Sequence, residues 1–359
     1  MRFRCGVVGL GRGRWFVKAL AGIEGVEVAA VCDPNPATFA EFSGLATYTD
    51  YERFLDEELD IVAIVSPGPA HAAQTLAALE RGAHVLCETP CVYSIEEARR
   101  VVAAVERSGL KYMLAENYIW MDWCTSLLEM ADAGRFGDIV YAEGDYTHDC
   151  RDAMLVDEGR SVPYAERRRH PNATKTWRAT HLPPIQYCSH TLGPLLRIMN
   201  DRVVSAFGLS IAGKAAPDLV ATDLESALLQ TERGAIIRLT NGFAVAHPMA
   251  FYYNVVGTQG SAKVINAGDV MGKWWSEVGV NPQGWQELPV AFWQHRDGVG
   301  DLEAMVGEFV NSVRCDTKPP IDVHESMDMT VPGIVAHEAG LRGGVKLDVP
   351  DSRTWGSDE

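Results

Sequence analysis

The sequence predicts an α/β protein: an N-terminal doubly wound parallel sheet, then an α+β domain with a large, mostly antiparallel open sheet. Three observations predict it. Apolar runs alternate with helical patterns over roughly the first 120 residues, as strands joined by crossover helices do. Beyond about residue 136 the alternation gives way to successive β-rich runs with turn signals between them. The length, 359 residues, suits about two domains of ~100–200 residues each. The expected division is 1–120 and 121–359, the second part carrying a C-terminal helix and tail.

In the first part, strands are expected at Cys5–Gly9, Val26–Cys32, Ile61–Val65, Ala83–Cys87 and Lys111–Leu114. Their unbroken apolar character suits a parallel sheet covered on both faces. One helix runs from about Ala70 to Arg81 and stops at Gly82. Another opens on the capping box Ser94-Ile-Glu-Glu97, buries Ala98, Val101, Val102 and Val105, and ends at Gly109. In the second part, Ile139–Thr147, Val203–Ile211, Ser226–Thr231, Ala235–Thr240 and Phe251–Gly257 read as strands, with a hairpin turn near Glu232-Arg-Gly234. Thr191–Met199, Asp301–Arg314 and Val323–Leu341 are helical in pattern. Segment 149–189 is long, charged and irregular, as functional or mobile loops tend to be. Its Arg167-Arg168-Arg169-His170 run is either a solvated face or a contact for an anionic substrate group or a neighbouring subunit.

Composition narrows the function. Lys+Arg number 32 and Asp+Glu 48, a net charge of −16, which argues against nucleic acid and anionic membranes as partners. No apolar run approaches the ~18 residues of a membrane span. The chain starts directly on a strand, without an apolar export segment, and its 8 cysteines form no CxxC pair. Reduced thiols and a cytoplasmic location are therefore expected.

The chemistry starts at Gly9-Leu-Gly11-Arg12-Gly13-Arg14, directly after the first strand. Glycines there tighten the turn and admit a pyrophosphate to the helix N-terminus. Arg14 stands where GxGxxG has its third glycine, so either Gly13 takes that role or Arg14 contacts phosphate. Asp33, at the end of the second strand, is placed to accept from a ribose 2′-hydroxyl and would repel a 2′-phosphate. NAD is thereby favoured over NADP. The alternative is a plain turn with a helix-capping Asp33.

Gly9-x-Gly11, Ser66-Pro67-Gly68-Pro69-Ala70-His71 and Cys87-Glu88-Thr89-Pro90 resemble the glucose–fructose oxidoreductase / inositol dehydrogenase (Gfo/Idh/MocA) family over essentially the whole chain. Most members of that family have Glu-Lys-Pro in the third motif, with the Lys serving proton chemistry at the oxidised hydroxyl. Here the position is Thr89, and a hydroxyl cannot replace an ammonium as an acid. That departure points to the NAD-dependent glycosidases of glycoside hydrolase family 109, which also lack the Lys. Met113-Leu-Ala-Glu116-Asn117-Tyr118, the strand ending Asp145-Tyr146-Thr-His148, and Tyr187-Cys-Ser-His190-Thr-Leu-Gly193-Pro194 resemble segments of that branch. Leu182-Pro183-Pro184 departs from it, which bears most on substrate identity.

The resemblance implies a catalytic set of His190, Tyr146, Tyr187 and Glu116. It implies cofactor contacts from Gly9, Gly11, Arg12, Gly13, Arg14, Asp33, Ser66, Pro67, His71, Glu88 and Asn117. Trp120, Trp177, Arg178 and His148 are the expected substrate contacts, although packing is an equal use for the tryptophans. The implied reaction oxidises C3 of a sugar, eliminates the C1 substituent after loss of the C2 proton, adds water and reduces C3 again. His190, before a helix, suits the C3 hydroxyl proton, with Tyr187 sharing that oxygen. Tyr146 suits the C2 proton, although a phenol ordinarily ionises near ~10. Glu116 would hold sugar hydroxyls or assist the leaving group, and His71 would position rather than react. No metal is expected: His148, Asp149 and Cys150 are consecutive, and on a strand would face opposite ways. A net sugar or cyclitol dehydrogenase and a non-catalytic NAD- or sugar-binding protein remain alternatives. The substrate would be a small glycoside, and the chain a homo-oligomer, dimer or tetramer.

Overall fold

The structure, a computed structural model, describes residues 2–220, 222–267, 270–279, 284–287 and 300–357. The chain divides into two compact units. The first comprises Met1–Trp120, Arg296–Asp328 and Asp351–Glu359; the second comprises Met121–His295 and Met329–Pro350. Helix Asp301–Arg314 and the tail, expected in the second part, thus belong to the first unit. Their partners explain this: Asn117 donates to Asp301 at 2.5 Å, Arg314 donates to the Glu24 carbonyl at 2.7 Å, and Arg353 pairs with Asp328 at 2.6 Å.

In the first unit the elements run β1 (Phe3–Val8), α1 (Leu10–Ala21), β2 (Val26–Cys32), β3 (Ala46–Tyr48), α2 (Tyr51–Leu55), β4 (Ile61–Ile64), α3 (His71–Glu80), β5 (His84–Cys87), α4 (Ile95–Ser108) and β6 (Tyr112–Leu114). The strands form a six-stranded parallel sheet in the order β3-β2-β1-β4-β5-β6. The order reverses at β1, where the chain leaves one half of the sheet for the other; ligands of doubly wound folds bind beyond the strand ends there. α4 has the expected ends: the Ser94 hydroxyl accepts from Glu97 N–H, and Gly109 closes it at φ 68°. β4 is buried throughout, as a doubly covered strand should be.

The second unit begins with α5 (Asp122–Asp132) and β7 (Ile139–Thr147). Then come β8 (Leu155–Asp157), β9 (Arg160–Ser161) and β10 (Thr174–Lys175), a small antiparallel sheet inside the segment expected to be irregular. The chain continues with α6 (Trp177–Thr180), α7 (Ser189–Met199), β11 (Val203–Ala212), β12 (Thr222–Thr231), β13 (Ile236–Gly242), β14 (Ala250–Gly257), β15 (Gly260–Ala267), β16 (Val270–Glu277) and β17 (Gln286–Glu287). After α8 (Asp301–Arg314) come α9 (Val323–Leu341) and β18 (Lys346–Asp348). The large sheet has nine strands in the order β17-β16-β15-β14-β7-β13-β12-β11-β18. It is antiparallel except where β7 and β13 run parallel. β7 thus lies in mid-sheet, and its residues alternate between a buried inner face and a partly exposed outer one. α7 packs on that inner face above Gly144, where a Cβ would stand 2.9 Å from the Thr191 carbonyl oxygen.

Candidate functional site

The glycine-rich turn of the first unit has the shape of a dinucleotide loop. Gly9 caps α1 at φ 86°, and a Cβ there would run into the backbone of Ser66 and lie 2.5 Å from the Val65 carbonyl carbon. Only glycine meets both demands. At Gly11 a Cβ would meet nothing within 4 Å, so the backbone of the first helical turn is open to a close ligand. At Gly13 a Cβ would press on Val7 at 3.0 Å, so this glycine seats α1 against the sheet. The turn, the open approach and the helix–sheet contact therefore fall at 9, 11 and 13. Arg14 instead donates to the Gly11 carbonyl at 3.0 Å and pairs with Glu41 at 3.1 Å.

Around this turn the other expected cofactor residues form a bonded frame. Asp33 accepts from Leu10 N–H at 2.8 Å and Asn35 N–H at 2.9 Å, which ties the end of β2 to the start of α1. Arg12 pairs with the buried Glu88 carboxylate. The second oxygen of Glu88 accepts from Thr89 N–H at 2.7 Å and from its hydroxyl at 3.2 Å. Thr89 is thus turned back onto Glu88. Ser66 donates to Gln74 at 2.5 Å, and Pro67 precedes the turn Gly68–Ala70. His71 is buried with its ring nitrogens 2.9 Å from the Pro90 carbonyl oxygen and 2.7 Å from that of Ser66. Burial outweighs both carbonyls and lowers its pKa, so the ring is a neutral brace between two loops. Glu116 is fully buried and accepts from Tyr118 N–H at 3.2 Å, and Trp120 is buried in the same unit.

The second unit brings three of the four expected catalytic residues together. Tyr146 stands near the end of β7, Tyr187 ends the short helical turn Pro184–Tyr187, and His190 is the second residue of α7. The two tyrosine rings lie 6.3 Å apart and nearly parallel, at 21°. The His190 ring stands edge-on to both, 5.5 Å from Tyr146 and 5.0 Å from Tyr187. Phe243, just past β13, closes the group at 5.8 Å from Tyr146 and 5.7 Å from Tyr187. The backbone is pinned as well: Tyr253 donates its hydroxyl to the His190 carbonyl, and Asn241 donates to the Tyr187 carbonyl at 3.0 Å.

His148 joins the cluster from beyond β7, 5.3 Å from Tyr146. Burial and then the positive charge of Arg178 lower its pKa. Cys150 Sγ lies 3.2 Å from His148 Nε2, and burial raises its pKa to about 11, so it is a thiol. The alternating-face expectation for 148–150 fails here because β7 ends at Thr147; Asp149 turns away to pair with Arg151 at 2.5 Å. Among the described residues no group of three or more His, Cys, Asp or Glu could hold a metal ion, and no helix is long and apolar enough to cross a membrane. Trp177 is half-buried under the Arg178 guanidinium at 4.7 Å, whereas Trp123 is core, stacked on Tyr253 at 4.2 Å. In the arginine run, Arg167 stacks over Tyr164 at 3.9 Å and pairs at 2.7 Å with Asp218, which lies between β11 and β12, so its charge is already met by a carboxylate. Asn241 and Phe243 were not among the sequence candidates. An asparagine amid the apolar run of a strand was the available signal for the first.

Residues 3–116 match the model of an oxidoreductase family with an NAD-binding Rossmann fold. The N-terminal part of the chain is therefore an NAD-binding Rossmann domain similar to that of this oxidoreductase family, and NAD is its cofactor. A glycosyl hydrolase family 109 protein of Streptomyces filamentosus is 27% identical over 97% of this chain and 77% of its own. An α-N-acetylgalactosaminidase of Bacteroides fragilis is 26% identical over 72% of this chain and 68% of its own. Among solved structures, an oxidoreductase domain protein from Kribbella flavida has a TM-score of 0.79 at 18% identity, over 98% of this chain and 100% of that one. A scyllo-inositol dehydrogenase from Lactobacillus casei, solved with NAD(H) and scyllo-inositol, has a TM-score of 0.70 at 18% identity, over 97% and 99%. At such identities these structures establish the fold.

Proposed function

We propose that the protein is an NAD-dependent glycosidase that cleaves a small glycoside by transient oxidation at C3. One observation carries this: Tyr146 from one segment and Tyr187 with His190 from another, three acid/base groups, converge on the inner face of one sheet. Paired proton-transfer groups are what a redox-neutral elimination needs and a single hydride transfer does not. Thr89, held by Glu88, adds weight, because it offers no ammonium for the usual dehydrogenase proton step.

The first unit fits a dinucleotide. Gly9 and Gly11 form a cradle that a Cβ would fill or obstruct, and Asp33 offers a carboxylate at the end of β2. Gly9, Gly11, Arg12, Asp33, Ser66, Pro67, Glu88 and Asn117 are the residues we assign to holding it. Bound NAD supplies the reversible oxidation at C3. His190 takes the C3 hydroxyl proton, and Tyr187 holds the same oxygen. The C3 ketone acidifies the C2 proton, which Tyr146 removes as the C1–oxygen bond breaks and the aglycone leaves. Water then adds across C1 and C2: its hydroxyl goes to C1, its proton passes through solvent to the aglycone oxyanion, and Tyr146 returns a proton to C2. His190 restores the C3 hydroxyl proton when C3 is reduced. Arg178 and His148 bind the sugar, with Trp177 as a stacking face.

The test is incubation with NAD⁺ and a panel of aryl glycosides, following both phenol release and NADH absorbance. Phenol without net NADH is expected. Stoichiometric NADH without phenol would identify a net dehydrogenase, and silence on a broad panel would leave the binding-protein alternative. We also propose a homo-oligomer, because the outer face of the large sheet leaves Leu209, Ile211, Leu228 and Ile236 about half exposed.

A further inference from the structure

A row of polar residues crosses the inner face of the large sheet. Strand register places Ser210 beside Glu225, Glu225 beside Asn241, and Asn241 beside Tyr146. Glu225 is 1% exposed and Asn241 0%, in a setting where an unpaired amide or carboxylate is costly. Their bonds converge on one stretch of chain. Glu225 accepts from Ser210 at 2.6 Å and His337 at 2.7 Å through one oxygen, and from Ile185 N–H at 3.0 Å through the other. Asn241 donates to the Tyr187 carbonyl at 3.0 Å and accepts from the Thr191 hydroxyl at 3.3 Å. On the far side, Gly333 of α9 leaves no room for movement: a Cβ there would meet the Ile185 carbonyl and stand 2.6 Å from Cys188 Sγ. Residues 185–191, which carry Tyr187 and His190, are therefore gripped at both ends by the row that also carries Tyr146.

We propose that Asn241, beside Glu225 in the strand register, is a positioning residue that fixes Tyr187 and His190 relative to Tyr146. It touches no reacting atom; it acts through the backbone of the two residues beside it. This rests on the glycosidase reading for its kinetic consequence, although not for its structural one. Displacing a catalytic group by about 1 Å costs on the order of 100-fold in rate.

The test compares Asn241→Leu with Asn241→Asp. The leucine is nearly isosteric and makes neither bond. The aspartate keeps the acceptor for Thr191 but sets an oxygen against the Tyr187 carbonyl. Both variants should fold and bind NAD in the first unit as the parent does. On an aryl glycoside that the parent cleaves, kcat should fall by tenfold to about 100-fold with KM little changed, the split expected when a reacting group rather than substrate affinity is lost. A parallel readout needs no turnover. In protein labelled with ¹³Cε1-histidine, the His190 resonance, assigned with His190→Asn, should lose the ring-current displacement imposed by Tyr146 and Tyr187. A folded variant with parental kcat, or with an unmoved His190 resonance, would overturn the proposal. If the parent itself turns nothing over, that failure belongs to the glycosidase reading, and the resonance decides the positioning role.

Discussion

Replacing Gly11 by alanine separates the two demands that the nucleotide loop places on its glycines. Gly11 lies in the first turn of α1 without a positive φ, and a methyl there would meet nothing within 4 Å. Removing glycine's unfolded-state freedom at such a compatible site stabilises by about 0.4–1 kcal/mol. For a unit of this size that is a rise of roughly 1–4 °C in Tm. The same methyl occupies the space through which a pyrophosphate would reach the backbone. Losing one charge-assisted hydrogen bond costs about 1.5–3 kcal/mol, a weakening of NAD binding by roughly 10- to 150-fold. Gly9→Ala should behave oppositely in stability. At φ 86° it adds about 1–2 kcal/mol of backbone strain and a clash with Ser66, so Tm and NAD binding should fall together. Scanning fluorimetry with and without NAD, paired with calorimetric titration, measures both. A Gly11→Ala protein that binds NAD like the parent, or that loses as much stability as Gly9→Ala, would refute the assignment of these roles.

Three further outcomes are expected. His71, His84 and His148 all have pKa values lowered chiefly by burial, so the unfolded chain binds protons that the folded chain refuses. Stability should be full above the ordinary histidine value of about 6.5 and fall as pH drops below it; a Tm unchanged between about pH 7 and 5 would contradict this. Lys273 is buried, and burial pulls its pKa down to about 8 despite the nearby Asp122, so keeping it charged at neutral pH opposes folding. Lys273→Met should raise Tm at neutral pH and flatten the gain in stability that the parent shows between about pH 8 and 10.4; a lower Tm would count against it. Light scattering should find an oligomer that Leu209→Glu with Leu228→Glu converts toward monomer, and a monomeric parent would remove that proposal.

Much of the fold was legible because its signals are local. β2 and β7 occupy the residues expected from their apolar runs, and α4 announced itself by its capping box and terminal glycine. The elements that escaped lack such signals. β3 is three residues with no buried position, and α5 begins after Met121 without a capping side chain. β15 and β16 are recognisable chiefly as a hairpin, by their pairing from Gly260–Glu277 to Ala267–Val270. The allegiance of α8 and the tail to the first unit depends on partners such as Asn117 and Asp328, far away in sequence. The candidate site divides in the same way. Tyr146, Tyr187 and His190 sit in motifs that can be matched residue by residue. Asn241, Glu225 and Phe243 acquire their places only from strand register, which no single segment encodes.

Glycoside cleavage by oxidation and elimination leaves an isotopic record in the product. The reaction run in D₂O, with NAD⁺ and a glycoside the protein cleaves, should yield a sugar carrying solvent deuterium at C2, because the C2 proton is removed and replaced on every turnover. Mass spectrometry and NMR of the released sugar read this directly. Deuterium at C2, lost together with cleavage in Tyr146→Phe, is the expected result. Cleavage to a sugar with no deuterium at C2 would contradict elimination and point to direct displacement at C1 by paired carboxylates.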